Sequence, residues 1–555
     1  MPVKTDLGTT KSHMNKMQRV FIALVIGVIL VALGTYLYNN SQNKSAQITQ
    51  TGEFSTVTNN YPVAEQSEVV ELKNGDTYNL TASIVKKNIK GNEVKMLAYN
   101  GSIPGPLLKI PQEAEITLNF KNEIDVPTTI HSHGIRLDNK FDGVPDITQK
   151  EVGVGESFTY KIRFPDAGIY WYHPHIREDY AQELGLYGNY LVTPIDTNYW
   201  SPVNREVALF LDDILIENGK ISPFYTKTVN HTLMGRYGNV MLINGENNYT
   251  LQAKKGEVIR FYITNSANTR PFNFTIAGAK MKLVGGDSGA YEKDQWVDAV
   301  TLGPSERAII EVLFEKAGSY AFQNKTPDKT YEIGIIAVSE DSVASSYADS
   351  FAVLKTHNEA IKSIDPFRAY FSKESDKKIK LSIELNGDMQ KMMGVGSAGG
   401  GHMMADGTMM GGNMMEAEPK DGIEWENSMQ MMSVIPDTSM VKWKISDQAS
   451  GKENMDIDWK FKVGDKVKIR ITNDPKSMHP MQHPIHIHGQ RFLVVKRNGI
   501  QNQNLVWKDT VLVQNGDTVE LLVDMDNPGD WVIHCHIPEH MEAGMMSQFK
   551  VLNRI

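Results

Sequence analysis

The stretch His534-Cys535-His536-Ile537-Pro538-Glu539-His540-Met541-Glu542-Ala543-Gly544-Met545 decides how the rest of the chain is read. Cys535 is the only cysteine in the protein. In an extended segment neighbouring side chains point to opposite faces, so His534 and His536 share one face and Cys535 takes the other. One tripeptide can therefore serve two metal sites. A thiolate, two imidazoles and a weak axial thioether form the donor set of a blue copper centre. Cys535, His540 and Met545 supply three of these donors. The second imidazole must come from elsewhere, and His534 and His536 need partners on their own face.

Those partners lie upstream. His483-Pro484-Ile485-His486-Ile487-His488-Gly489, His131-Ser132-His133-Gly134 and His173-Pro174-His175 each carry a His-x-His pair. With His534/His536 they make four pairs and eight imidazoles, each pair predicted to present both rings on one side of a strand. His483 stands three residues before His486, an odd spacing that turns it to the other face, toward Cys535. Ten of the fifteen histidines thus fall into two sets, eight for one cluster and two for the blue copper.

The four motifs, in this order, resemble the signature of the multicopper oxidases: laccases, ferroxidases and bacterial copper-efflux oxidases. The resemblance covers most of the chain after about residue 60. It implies four copper ions. The type 1 ion would be held by His483, Cys535 and His540 with Met545 axial, and the type 2 ion by His131 and His486. The binuclear type 3 pair would be held by His133, His173, His175, His488, His534 and His536. It also implies an electron relay, in which a donor reduces type 1 and electrons cross Cys535 to His534 and His536. Four transfers reduce one O2 to two waters, with the metal carrying the chemistry. Asp142, in Asp142-Gly143-Val144-Pro145, matches the acid that feeds protons to the cluster in this family; a solvated turn aspartate is the alternative. Many bacterial relatives carry a Glu directly after the type 1 His. Here that residue is Met541, and Glu542 comes one later as the candidate second relay.

At 555 residues the chain has room for three or four domains, and its net charge of -9 argues against a nucleic-acid partner. The single cysteine excludes an internal disulfide. Short alternating or apolar runs bounded by Gly, Pro, Asn and Asp recur from about Tyr61 onward and predict strands at Tyr78–Ile84, Glu115–Phe120, Ser157–Phe164 and Gly188–Val192. Similar runs follow at Val207–Leu211, Val258–Thr264, Ala308–Phe314 and Ile333–Val338. The last set is Val467–Thr472, Arg491–Lys496, Val511–Val513 and Thr518–Val523. The expected fold is all-β: three consecutive cupredoxin-like Greek-key sandwiches at 61–197, 198–345 and 377–555, with a partly helical connection at 346–376. The middle block holds one histidine, His231, and resembles the family's copper-free spacer domain.

Ahead of them, residues 1–19 are basic, with Lys4, Lys11, Lys16 and Arg19, and 20–38 are apolar. That run is long enough to span a hydrocarbon core of roughly 30 Å. The basic flank would keep the N-terminus inside and place the oxidase domains outside the cytoplasm, in a periplasm or on the cell surface, anchored by a transmembrane helix. A signal peptide cleaved near Ser45-Ala46-Gln47 is the rival reading. Residues 39–60 read as a polar tether.

Residues 389–432 do not fit a sandwich. They hold twelve of the 27 methionines, including the pairs Met392-Met393, Met403-Met404, Met409-Met410, Met414-Met415 and Met431-Met432. Thioethers are soft donors that prefer Cu(I). A similar Met-rich insertion marks the copper-efflux oxidases, so these pairs form a candidate cuprous substrate site; an insertion without a role is the alternative. Met478, His479 and Met481 add soft donors near His483. The expected partners are O2, Cu(I) or another small reductant, and a membrane. A laccase-like oxidase of phenols is the alternative, and a non-enzymatic copper-binding scaffold the third reading. Ferrous or manganous oxidation would need carboxylates near type 1, for which Asp509 and Glu542 are candidates.

Overall fold

The computed structural model describes residues 54–224, 229–386, 402–403, 409–410, 421–427 and 441–554. Within them, residues 55–222 and 229–554 form one compact unit. The architecture is three β-sandwiches in sequence order. The first pairs the sheet of Asn92–Tyr99, Thr77–Ile89, Glu115–Glu123 and Ser157–Arg163 with a second sheet. That second sheet is ordered Val69–Glu71, Leu107–Pro111, Gly188–Thr193, Gly168–His173 and His131–His133. All twelve runs predicted as strands fall within, or within one residue of, strands of the fold.

One topology occurs three times. In one sheet of each sandwich an early strand runs parallel to a later one: Thr77–Ile89 with Glu115–Glu123, Arg205–Ile214 with Glu257–Asn265, and Lys377–Leu385 with Asp465–Asn473. In the other sheet the last strand again pairs in parallel: Gly188–Thr193 with Leu107–Pro111, Thr330–Ser342 with Tyr249–Lys255, and Met546–Leu552 with Trp459–Lys462. Strands that face water on one side alternate, as in Glu115–Glu123, where Ile116, Leu118 and Phe120 are buried between exposed Glu115, Lys121 and Glu123. Gly168–His173 is buried at every position. Its outer face is covered by the second sandwich, where Ile169 packs with Tyr262, Val284 and Ile309.

The connection between the second and third sandwiches is helical, with Ala348–Ala352, Asn358–Ile364 and a 3-10 turn at Asp365–Tyr370. Ile364, Phe367 and Phe371 bury against Leu493, Val495, Trp507 and Leu522 of the third sandwich. This packing fixes the third sandwich against the chain that precedes it, a requirement for any site shared between domains.

Residues 20–38 lie outside the described residues. Among the described residues no helix is long and apolar enough to cross a membrane. Most of 389–432 also lies outside them, including Met392, Met393, Met404, Met414, Met415, Met431 and Met432. What is described there is residues 421–427, with Ile423 buried, and the backbone of a short antiparallel pair, with His402 opposite Met410 and Met403 opposite Met409.

Candidate metal centre

Strand pairing brings the histidines together. His131 sits opposite His173 in the first sandwich, and His486 opposite His534 in the third. His133, His486 and His536 then meet across the boundary between the two domains, with the His133 and His486 rings stacked at 3.6 Å and the His133 and His536 rings 5.1 Å apart. Nitrogens of three triads lie within 4.8 Å of one another: His133/His173/His536, His175/His488/His534 and His131/His486/His488. All eight rings are buried.

For His131, His173, His486, His488 and His534 the hydrogen bonds settle which ring nitrogen faces inward, while both nitrogens of His536 are buried without a partner. The Nδ1 atoms point outward, where His131 donates to the Asp142 carbonyl at 2.7 Å and His173 to the Pro174 carbonyl at 2.8 Å. His486 donates to the Asp509 carbonyl at 2.8 Å and His534 to the Cys535 carbonyl at 3.0 Å. His488 Nδ1 donates to Asp142 Oδ2 at 2.9 Å, and His133 Nδ1 lies 3.1 Å from Asp509 Oδ1. The Nε2 atoms of His131, His133, His173, His175, His486 and His536 are buried with no hydrogen-bond partner. His488 and His534 both spend their proton at Nδ1, so their Nε2 lone pairs face each other at 2.9 Å. Buried lone pairs left unpaired cost free energy that a bound cation recovers, so this donor set fits metal ions.

Protonation agrees. Burial first, then the neighbouring imidazoles, holds His133, His173, His175, His486, His488 and His536 well below the ordinary imidazole range. His534 is pushed down to about 4, also by burial first. All are neutral at neutral pH, the form that ligates.

The second cluster lies behind Cys535. Its Sγ is 3.6 Å from His483 Nδ1 and 3.8 Å from His540 Nδ1, and those two nitrogens are 3.3 Å apart. Here Nδ1 faces inward. His540 Nε2 donates outward at 3.0 Å to the carbonyl of Leu233, in the second-domain helix Val229–Met234. Met545 is fully buried in the same core, and its carbonyl accepts from the Cys535 N–H at 3.0 Å. Burial pushes the Cys535 thiol up, so a metal must displace its proton. The odd spacing of His483 acts as expected: Ile485 pairs with Cys535, and His483 turns to the sulfur side.

Family models described as multicopper oxidase match residues 81–196, 213–342 and 410–554, together most of the chain. The chain belongs to the multicopper oxidases. It is 25% identical to multicopper oxidase mco of Staphylococcus aureus over 83% of this chain and 85% of that protein. It is likewise 25% identical to copper resistance protein A of Escherichia coli, over 86% and 93%. The solved multicopper oxidase from Campylobacter jejuni superposes with a TM-score of 0.64 at 24% identity, covering 90% of this chain and 99% of that one. As a multicopper oxidase the chain is an O2-reducing oxidoreductase with three cupredoxin-like domains. Its His and Cys clusters match the type 1 and trinuclear copper sites.

Glu178 and Trp443, near this oxidase's copper sites, could not be found by motif, whereas Glu542 is the candidate second relay. Glu178 lies three residues beyond His175, with Oε1 3.5 Å from His175 Nδ1 and neither oxygen hydrogen-bonded. Burial first, then Glu542 and Asp179, raises its carboxyl far above the usual range. Glu542 closes the short helix Pro538–Glu542, and burial and then Asp179 raise its carboxyl too. Trp443 lies 4.2 Å from the His540 ring and 4.9 Å from His483. Asp509 needs a correction. It is not a carboxylate exposed beside type 1 for ferrous or manganous ions, because it is wholly buried at the eight-histidine cluster between His133 and His486.

Proposed function

We propose that this oxidase takes its electrons from Cu(I) at the type 1 site, as part of copper tolerance. The carrying observation is the closure of that site. His540 has no exposed edge, its Nε2 is capped by the Leu233 carbonyl, and Trp443 covers the ring from another side. A bulky phenol finds no imidazole edge to contact there. A small ion needs only a donor set near the cover. His479, whose Nε2 is buried without a partner, stands 6.2 Å from Trp443. The Met-rich segment belongs to the same domain and supplies thioethers suited to Cu(I). The name of the Escherichia coli relative, copper resistance protein A, supports the same reading.

When bound, four coppers supply one-electron steps that together reduce O2 to two waters. The chain's own part is positional. Cys535 is bonded through its backbone to His534 and His536, which ties the thiolate to the cluster ligands by the shortest covalent route. Asp142 touches both sets of cluster ligands, with Oδ2 at His488 Nδ1 and Oδ1 3.3 Å from His131 Nδ1. It is placed to hold a proton at its carboxylate for the reduced oxygen. Glu178, with Glu542 beyond it, is a second carboxylate path on the His175 side, where Met541 leaves the usual position without an acid.

The test compares Cu(I) with a bulky phenol as donor, for the intact chain and for one lacking residues 389–432. Deletion should lower Cu(I) oxidation, raise phenol oxidation and spare O2 reduction. Equal Cu(I) oxidation by both chains would leave a laccase-like oxidase of phenols as the reading. We further propose that residues 20–38 anchor the oxidase outside the cytoplasmic membrane. N-terminal sequencing decides this, and a mature start near residue 47 would show a cleaved signal and overturn the anchor.

A further inference from the structure

The second domain holds no copper ligand, yet it sends one side chain to the cluster. Arg307 begins the strand Arg307–Phe314, and its side chain is fully buried. Its guanidinium grips both oxygens of Asp509: Nη1 donates to Oδ1 at 2.7 Å and Nη2 to Oδ2. The remaining donors are anchored as well, Nε on the Ile169 carbonyl of the first domain at 3.1 Å and Nη1 on the Ser305 carbonyl at 2.9 Å. One side chain thereby joins all three domains.

Asp509 is the adapter. Its Oδ1 lies 3.1 Å from His133 Nδ1 and 3.5 Å from His486 Nδ1, and its carbonyl accepts from His486 Nδ1. Thr510 Oγ1 donates to the same Oδ1 at 2.9 Å. Behind it Asp287 accepts from the Arg307 backbone N–H at 2.8 Å and the Asp509 backbone N–H at 3.3 Å, so both partners share one base plate. Lys508 Nζ stands 3.2 Å from Asp287. The fit leaves no spare volume: a Cβ at Gly134, whose φ is +83°, would lie 2.3 Å from Asp509 Oδ2 and 2.9 Å from Arg307 Nη2.

We infer that Arg307 is a positioning residue of the trinuclear site: by fixing Asp509, and by standing 3.5 Å from His133 Nδ1 itself, it sets the ring orientation of His133 and His486. His486 Nδ1 is committed to the Asp509 carbonyl, His133 Nδ1 lies beside Asp509 Oδ1 and 3.5 Å from Arg307 Nη1, and both Nε2 atoms are left inside the cluster without a partner. The two rings belong to different domains and, by the family's pattern, to different copper ions. Arg307 therefore governs how the two halves of the site register. A lysine cannot do this, because a point charge on a flexible stem does not hold two carboxylate oxygens and a carbonyl at once.

The test uses the copper-loaded full chain and the variants Arg307→Lys, Arg307→Met and Arg307→Met with Asp509→Asn. Arg307→Lys keeps the buried charge opposite Asp509, and the double variant removes both charges, so neither leaves a lone buried ion. The type 1 absorption band reports the fold of the third domain. Expected are a band like that of the wild type, an altered type 2 hyperfine pattern in electron paramagnetic resonance, and type 2 copper held about 10- to 100-fold more weakly against a chelator. A blue Arg307→Lys protein with wild-type type 2 spectrum and copper retention overturns the inference. Loss of the blue band in all three variants also overturns it, since Arg307 would then hold the fold and not the site.

Discussion

The two copper regions solve the same problem with opposite faces of the same side chain. At the type 1 site His483 and His540 turn Nδ1 toward Cys535, and the outward Nε2 of His540 rests on one backbone carbonyl. At the eight-histidine cluster the Nε2 atoms of His131, His173 and His486 face inward with no partner, while their Nδ1 atoms are held by backbone carbonyls. The type 1 donors all come from one sandwich, and Ile485 and Cys535 are paired on adjacent strands. The cluster is split between two sandwiches, so its geometry depends on how domains dock. A site within one sheet can rely on strand register. A site shared between domains needs outside groups, and here they are Asp142, Asp509 and Arg307.

The sharpest break in that comparison is Cys535→Ser. It should abolish the blue band and reduce activity to background, while copper content falls only from four ions per chain toward three. Loss of all copper would show that the two sites are not separable.

Copper removal should expose the next difference. In the apoprotein the buried imidazoles are neutral and resist protonation, while in the unfolded chain they titrate near 6.5. The unfolded state then binds more protons at acid pH, so stability falls as pH drops below 6.5 and goes on falling toward the folded values. For His534, about 4 when folded, this is on the order of 3 kcal/mol. The apoprotein melting temperature should drop steeply between pH 7 and 4. A flat profile would mean that the rings are not buried and neutral.

Asp142→Asn should act on the cluster alone. Reoxidation by O2 should slow about 100-fold or more, worst at high pH where protons are scarce, with type 1 reduction by substrate unchanged. Stopped-flow measurement of both half-reactions checks it, and the reverse pattern would remove Asp142 from the proton path.

The smallest expected effect is on the type 1 cover. Trp443 Nε1 donates to the Thr232 carbonyl at 2.7 Å, in the helix that caps His540. Trp443→Phe removes that hydrogen bond, at a cost of about 0.5–1.5 kcal/mol. Thermal melting should show it, together with a shifted type 1 spectrum and an unchanged type 2 signal. A changed type 2 signal would show that the two regions are coupled through the cover.

Much of this was legible in the chain itself. Alternation along strands is a local rule, so His534-Cys535-His536 announced two sites, and the odd step from His483 to His486 placed His483 with the sulfur. Short alternating or apolar runs bounded by turn residues marked twelve of the strands, because both are local patterns. Asp509 was read as a carboxylate for the type 1 side because nothing local shows that Trp507-Lys508-Asp509-Thr510 runs behind His486. Glu178 escaped notice because its partner is a ring and not a motif. Only the tertiary structure decided which nitrogen of an imidazole faces inward, that Leu233 caps His540 from 307 residues away, and that Arg307 holds Asp509 across 202. Ring orientation and docking depend on hydrogen bonds between distant segments. A sequence records which donors and acceptors are present, and only the packed domains select which of them meet.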